Sequence, residues 1–445
     1  YVTLQNDTAE DGNGGRESKI TFEGSTVAGG ATFDAVQHEL GEIVVSHDGT
    51  ANDKKGKFEL FLNDGDDSDG SLTQTLYMDA QDAGNIGIGK STAFHADATN
   101  NVAIGNRTLL SSSGAALYNV AIGNLALYGL TTGDRNVAIG YTAGQDVQGA
   151  SNNMLIGMGA GANITSSGAN TLIGTSAGYQ ITTSSGQYNT GIGTYALYKA
   201  GGDTGNNIAI GYYSIGKGHD TTAQNTPKLN VAIGNYSLGG ASDFSTSTDN
   251  DSVYNVAIGH EAMEYSASGS SNTAIGYQAL QDLTTGTYNV SIGSTSGKEL
   301  TTASYNMFVG SASGGSSGAS ALTGNNNLCF GYAAGYDIEG ACAGSVFIGN
   351  YAGYSTTTGG LGNTAIGYQA LYTSQVSLRN TAIGYQALYT HNLGSTDYGN
   401  NVAIGYVALK ALTDGQRNTA IGTESGDQLT TGDDNIAIGY QALNT

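Results

Sequence analysis

NTAIGYQAL stands at residues 272–280, 363–371 and 380–388. Shorter versions run through most of the chain: NVAIG at 101–105, 119–123, 136–140, 230–234, 255–259 and 401–405, and NTAIG again at 418–422. With variants included, the unit N-x-A-I-G begins 20 times, at residues 85, 101, 119, 136, 153, 170, 189, 207, 230, 255, 272, 289, 306, 327, 345, 363, 380, 401, 418 and 435. The spacing is 17 residues in nine of the 19 intervals and ranges from 16 to 25. Helix-pair repeats need about 33 residues or more, so a period this short fits one β-coil per repeat. The chain therefore reads as all-β, with a parallel β-solenoid of 20 stacked coils over residues 85–445. At ~4.8 Å per coil the stack would run roughly 95 Å. The repeat alone leaves the hand of the coils open.

Let the Asn be position 0. Position 4 is Gly in all 20 units, position 3 is Ile in 18 (Val309 and Phe330 differ), and position 0 is Asn in 19 (Ser345 differs). An obligatory Gly marks a backbone conformation or a close approach that a Cβ forbids, so position 4 reads as the corner of the coil. Asn at a fixed corner tolerates left-handed geometry and bonds backbone groups. Stacking would line these amides into a ladder. Position 2 is bulky in five units, at Leu155, Leu172, Phe308, Cys329 and Phe347; in those five, position 8 is Gly161, Gly178, Gly314, Gly335 and Gly353. Where position 2 is Ala, position 8 is usually large, as at Leu109, Leu127, Met263, Leu280 and Leu388, with Gly144 and Gly426 as exceptions. Close-packed cores conserve volume, so positions 2 and 8 are expected to share one layer.

Neighbours along a strand point to opposite faces. Positions 1 and 3 therefore face away from position 2, yet they are apolar too. Two dry faces require a second layer. An identical chain is the simplest supplier, which predicts a homo-oligomer, specifically a homotrimer. A larger sandwich within one chain is the competing explanation.

Residues 1–84 lack the repeat and read as a small β-rich connector or cap domain ahead of the solenoid at 85–445. There Phe58, Leu60 and Leu62 alternate with Glu59 and Phe61 as a half-buried strand, with Asn63–Gly70 as the turn and Leu72–Asp79 as the returning strand. The longest departures from the period are at 217–229 and 239–254, with shorter ones at 315–326 and 390–400. Insertions in a solenoid become projecting loops, so these are the candidates for receptor contact. Pro227, the single proline, falls in the first of them, where no ladder bond would be lost.

Charged residues make up 12% of the chain and the net charge is −22. The 15 Lys and Arg are scattered, which gives no electrostatic footprint for nucleic acid. No stretch reaches the ~18 apolar residues of a membrane helix. The chain opens at Tyr1 without Met or a signal-like run and ends part-way through a repeat, so it reads as processed or as a piece of something longer. Cys329 and Cys342 are expected to be small buried residues, with a bridge between neighbouring coils as the alternative.

Catalytic signals are sparse. His38, His47, His95, His219, His260 and His391 are scattered without metalloprotease spacing and read as surface residues. GSSGAS at 315–320 lacks the strand-to-helix turn of a nucleophile elbow. Asp134, Asp282, Glu299, Glu424, Asp433 and Asp434 form no evident pair for glycan hydrolysis. The acidic run Asn63–Gly70 breaks the calcium-loop template at Asp69 and reads as a hairpin turn. Tyrosines recur at position 5 and at the residue before the Asn, either packed over the coil corners or free to stack on sugars. TTG tracts at 131–133, 284–286 and 430–432 alternate too irregularly for an ice-binding face. No catalytic, cofactor-binding or metal-ligating residue is assigned, no cofactor is expected, and the chain reads as a non-enzyme.

NTAIGYQAL and its variants resemble the repeats of phage tail fibres and of the heads of trimeric autotransporter adhesins. The similarity covers residues 85–445; KFELFLNDGDDSDGSLTQTLYMDAQDAGNIGIG at 57–89 and ITFEGST at 20–26 also look like tail-fibre segments. The resemblance implies a left-handed β-roll of three interleaved chains, with segments such as DLTTGTY at 282–288 as outer loops. It implies a structural and attachment role at a virion or extracellular surface. Partners would be two further copies, a host cell-surface receptor (glycan or protein), and other fibre or tail proteins at the ends, with no nucleic acid and no membrane insertion. A bacterial adhesin head or extracellular filament is the alternative, and a polysaccharide-cleaving spike the third reading.

Overall fold

The structure is a computed structural model. It describes residues 17–25, 37–46, 57–62, 73–79, 84–90, 92, 94, 97–110, 114–181, 186–199, 204–215, 227–239, 252–315, 321–356, 361–374, 378–391 and 398–444. The chain forms two compact units, Tyr1–Asp203 and Thr204–Thr445. No helix occurs among the described residues.

In the first unit, β1 (Glu17–Ser25), β2 (Gln37–Ser46), β3 (Lys57–Leu62) and β4 (Thr73–Asp79) pair antiparallel in chain order. The hairpin expected from 57–79 is thus present as β3 and β4, and its turn at Asn63–Gly70 lies outside the described residues. The burial of β3 reverses the expectation. Glu59, paired with Val44 and Tyr77, is buried, whereas Phe58 is 36% exposed and Leu60 is half-buried. The strand alternates as the sequence predicts, but the better-covered face is the one that carries Val44 and Glu59.

β4 also pairs antiparallel with β5 (Ile86–Ile88), and from β5 onward pairing is parallel. Seven three-residue strands, from β5 to β11 (Thr190–Ile192), belong to the first unit. Thirteen more, from β12 (Ile208–Ile210) to β24 (Ile436–Ile438), belong to the second. Equivalent repeat positions pair with each other, as in Val256↔Thr273, Ala257↔Ala274 and Ile258↔Ile275. This is the parallel β-solenoid that the period predicts, one rung per N-x-A-I-G unit.

The fixed Asn is explained by its bonds. Asn272 Oδ1 accepts from the backbone N–H of Asn289 at 2.9 Å and from its side-chain amide at 3.1 Å. Its own amide nitrogen donates to Asn255 Oδ1 at 3.2 Å and to the Gly286 carbonyl at 2.9 Å. Both lone pairs and both N–H groups of the carboxamide are therefore satisfied in a buried site, which no other side chain of this size can achieve. At Ser345 the ladder continues through the shorter hydroxyl, which reaches the N–H of Asn363 only at 3.4 Å.

Position 4 glycine is required twice over. Gly157 has φ +132°, and a Cβ there would sit 2.5 Å from the Gly174 carbonyl oxygen of the next coil. The left-handed geometry expected of the Asn falls elsewhere, at positions −1, 6 and 8. In the coil of Asn119 these are Tyr118, Leu125 and Leu127, at φ +60°, +60° and +47°. Each costs roughly 1–2 kcal/mol for a residue with a Cβ. Full burial of a leucine at position 8 returns ~1.5–3 kcal/mol. The turned amides also bond along the stack, Leu125 to Asn106 at 3.0 Å and Leu127 to Ala143 at 3.0 Å.

Positions 2 and 8 do share a layer. A Cβ on Gly161 would lie 2.8 Å from a Leu155 methyl, and one on Gly178 would lie 2.5 Å from a Leu172 methyl. The exceptions obey the same rule between coils. A Cβ on Gly144 would meet Leu155 of the following coil at 2.7 Å and Leu127 of the preceding coil at 2.9 Å; Gly426 would meet Leu409 at 2.8 Å. Position 11 completes this core with Leu130, Ile164, Ile181, Leu283 and Leu412, all fully buried. Position 7 lies beside it and is always small, as at Ala126, Ala279 and Ser296.

Candidate interaction surface

The strand between corners turns positions 0, 2 and 4 inward and positions −1, 1, 3 and 5 outward. Inward, Ala257 and Ala274 have no exposed surface. Outward, the flanking strand positions are half-buried or exposed in every coil. Met307 and Phe330, for example, are 46% and 54% exposed. No second layer of this chain covers that face among the described residues, so the intrachain sandwich is excluded there. None of the residues at positions 1 and 3 carries a charge, although the chain has a net charge of −22. A three-residue strand is about 10 Å long and successive strands about 4.8 Å apart, so thirteen coils present on the order of 600 Å² of this face. That is at the upper end of what a monomeric protein leaves exposed.

Tyrosines border the face on both sides. Those at position −1 (Tyr118, Tyr188, Tyr254, Tyr288 and Tyr305) are 53–63% exposed, and those at position 5, such as Tyr277 and Tyr385, are 38–71% exposed. They stack on one another along the coils: Tyr288 on Tyr305 at 5.2 Å, Tyr368 on Tyr385 at 5.4 Å, Tyr385 on Tyr406 at 5.3 Å. A further ladder at position 9 runs Tyr336–Tyr354–Tyr372–Tyr389, with centroids 4.9–5.0 Å apart and planes within 7°. Within each stack neighbouring rings cover one another's flat faces, so of the two uses the sequence left open these faces serve packing and are not free platforms for sugars.

The carboxylates weighed for chemistry do not all stand apart: Asp433 and Asp434 are adjacent, and Asp282 and Glu299 lie on neighbouring coils. Asp134 accepts from the Leu117 amide at 2.9 Å, Glu424 from Gln441 at 2.7 Å, and Asp433 and Asp434 both bind Arg417. Asp282 and Glu299 fall at position 10 of successive coils; burial raises the Asp282 pKa, and the nearby Lys298 ammonium opposes that rise. Among the described residues no group of His, Cys, Asp or Glu could hold a metal ion. The hydroxyls of Thr131, Thr284 and Thr413 donate to next-coil carbonyls at 2.9–3.1 Å.

His260 is exposed, but His391 corrects the reading of the histidines as surface residues, because it is fully buried at position 11 of the core. Its Nε2 lies 3.0 Å from the Gly415 carbonyl and 3.1 Å from the amide of Asn401. Burial lowers its pKa. Counting eleven residues from Asn380 would have found it, since Leu283 and Leu412 hold the same place. Cys329 and Cys342 are both buried and unbridged, and burial pushes the Cys329 thiol well above its ordinary pKa. His47, His95, His219 and the central parts of the insertions, 216–226, 240–250, 316–320 and 392–397, lie outside the described residues.

The insertions share one place in the coil. Each leaves after position 8 to 11 and returns three to six residues before the next Asn. The strand, the corner and the position 8 core residue keep their spacing in every coil, so extra length enters only on this edge. Pro227 stands at such a return, and its carbonyl accepts from Asn207 at 2.8 Å.

No protein-family model, curated protein or solved structure matches the chain.

Proposed function

We propose that the chain is a structural and attachment segment of an extracellular fibre, of the phage tail-fibre kind, in which three copies form a stiff shaft that displays the inserted loops to a host surface. The observation that carries this reading is the uncharged outward strand face, repeated in every coil of a strongly acidic chain. A like copy matches its period and its lack of charge, and a partner without the period would not. The insertions enter at a single edge of the coil, away from that face, and so stay available for contact with a glycan or surface protein. No residue is assigned to catalysis.

The test is adhesion. The purified assembly is expected to bind host cells, and replacing 240–250 with the short connection of a 17-residue coil is expected to weaken binding without altering the assembly. Equal binding by both proteins removes that loop from the proposal. Release of reducing ends from host capsule would replace the attachment role with glycan cleavage.

A further inference from the structure

The two tyrosine borders are related in a way that one chain cannot explain. In the five coils with Tyr at position −1, position 5 holds Asn124, Thr194, His260, Ser294 or Ser311. In the eight coils with Tyr at position 5, position −1 is never Tyr; Arg135, Ser271 and Gly362 are examples. No coil has both. The same trade of volume at positions 2 and 8 reflects direct contact. Positions −1 and 5 of one coil, however, are six residues of extended chain apart, up to about 20 Å. The ring contacts these tyrosines make join neighbouring coils or, at Tyr212 and Tyr213, adjacent residues, and among the described residues none joins positions −1 and 5 of one coil.

We infer that the −1 border of one copy lies against the 5 border of the next copy at the same coil level, so that a tyrosine on one border never meets a tyrosine on the other and in most coils meets a smaller residue. The inference rests on the reading of the chain as self-assembling, and adds the register and the edges that meet. Two different edges in contact make a head-to-tail interface, which closes into a ring under cyclic symmetry. The sequence also places a position 5 tyrosine one coil after several position −1 tyrosines: Tyr141 after Tyr118, Tyr277 after Tyr254, Tyr332 after Tyr305. In register, these become diagonal neighbours across the interface, so the two rows interdigitate as a zipper. A one-coil offset would instead set these tyrosines directly against each other.

Paired cysteines test the register. Ser271→Cys with Tyr277→Cys puts one thiol on each border of the same coil. A disulfide needs Cα atoms within about 7 Å, so these two close only between copies. Under mild oxidation this variant is expected to give covalent oligomers up to a closed ring on a non-reducing gel. Ser271→Cys with Ser294→Cys, offset by one coil, is expected to give at least tenfold less. Native Cys329 and Cys342 are buried and do not compete. As a second arm, Ser271→Tyr alone should weaken assembly at least tenfold, and adding Tyr277→Ser should restore it. An oligomer that cross-links as well through the offset pair, or that ignores the swap, overturns the register and leaves self-assembly standing. A monomer by native mass overturns both.

Discussion

Within each coil the inward positions 0, 2 and 4 and the outward positions −1, 1, 3 and 5 come from the same seven residues, yet they meet different surroundings. Inward, the carboxamides have all their hydrogen bonds, the glycine backbone touches the next coil, and the packing volume is balanced between coils. Outward, Val, Thr and Ile line a surface that none of the described residues covers. The inward side is packed within one copy, and the proposed self-assembly covers the outward side with a second copy. Substitutions on the inward side should therefore act on folding, and those on the outward side on assembly.

The largest effect is expected on the amide ladder. Asn272→Ala would orphan the N–H and one side-chain N–H of Asn289 and the carbonyl of Gly286. At ~1–3 kcal/mol for each of these three buried groups, a loss of about 3–9 kcal/mol should appear in denaturant unfolding. A loss under about 1 kcal/mol would show that the ladder is ornamental. Next comes the 2/8 trade. Gly161→Leu should cost ~1–3 kcal/mol by overpacking, and Leu155→Ala in the same chain should recover most of it. Equal losses in single and double variants would remove the shared layer.

His391 gives a smaller, pH-dependent effect. Its folded pKa lies below the unfolded value, so at intermediate pH the unfolded state binds the extra proton. Stability should be full above pH ~6.5 and fall as the pH drops from there through the folded pKa, by at most ~1.4 kcal/mol per unit. His391→Leu should flatten that part of the profile. Ser425 tests the same core from the other direction. Its buried hydroxyl has no hydrogen-bond partner among the described residues, and its position 7 neighbours are Ala408 and Ala442. Ser425→Ala should stabilise by ~1 kcal/mol. On the outward side, Ile275→Asp should change the stability of the isolated fold by no more than ~0.5 kcal/mol while abolishing assembly. A variant that still assembles would acquit this face.

Much of the inward side was legible because its constraints act through residue identity. Only Gly fits position 4, only Asn makes every bond at position 0 (Ser345 keeps part of them), and a swap of volume leaves paired traces at 2 and 8. The left-handed residues were not legible. Backbone bonds to the preceding coil hold that conformation, so Tyr118, Leu125 and Arg135 all accept it and identity carries no mark. Position 7 escaped notice because Ala is common throughout the chain, and His391 because a polar residue in a core position was read alone, out of register. The reversed burial of Glu59 has a different cause: alternation tells which residues share a face, not which face is covered. For the outward side, the sequence showed an apolar row, and its two tyrosine borders became intelligible only once the coils were aligned.

The most direct measurement is the native mass of the purified chain. One copy has a mass of 45.2 kDa. If a like copy covers the outward face, the particle in solution should have three times that mass and keep it on dilution. A stable particle of a single copy, with the strand face open to water, would contradict it.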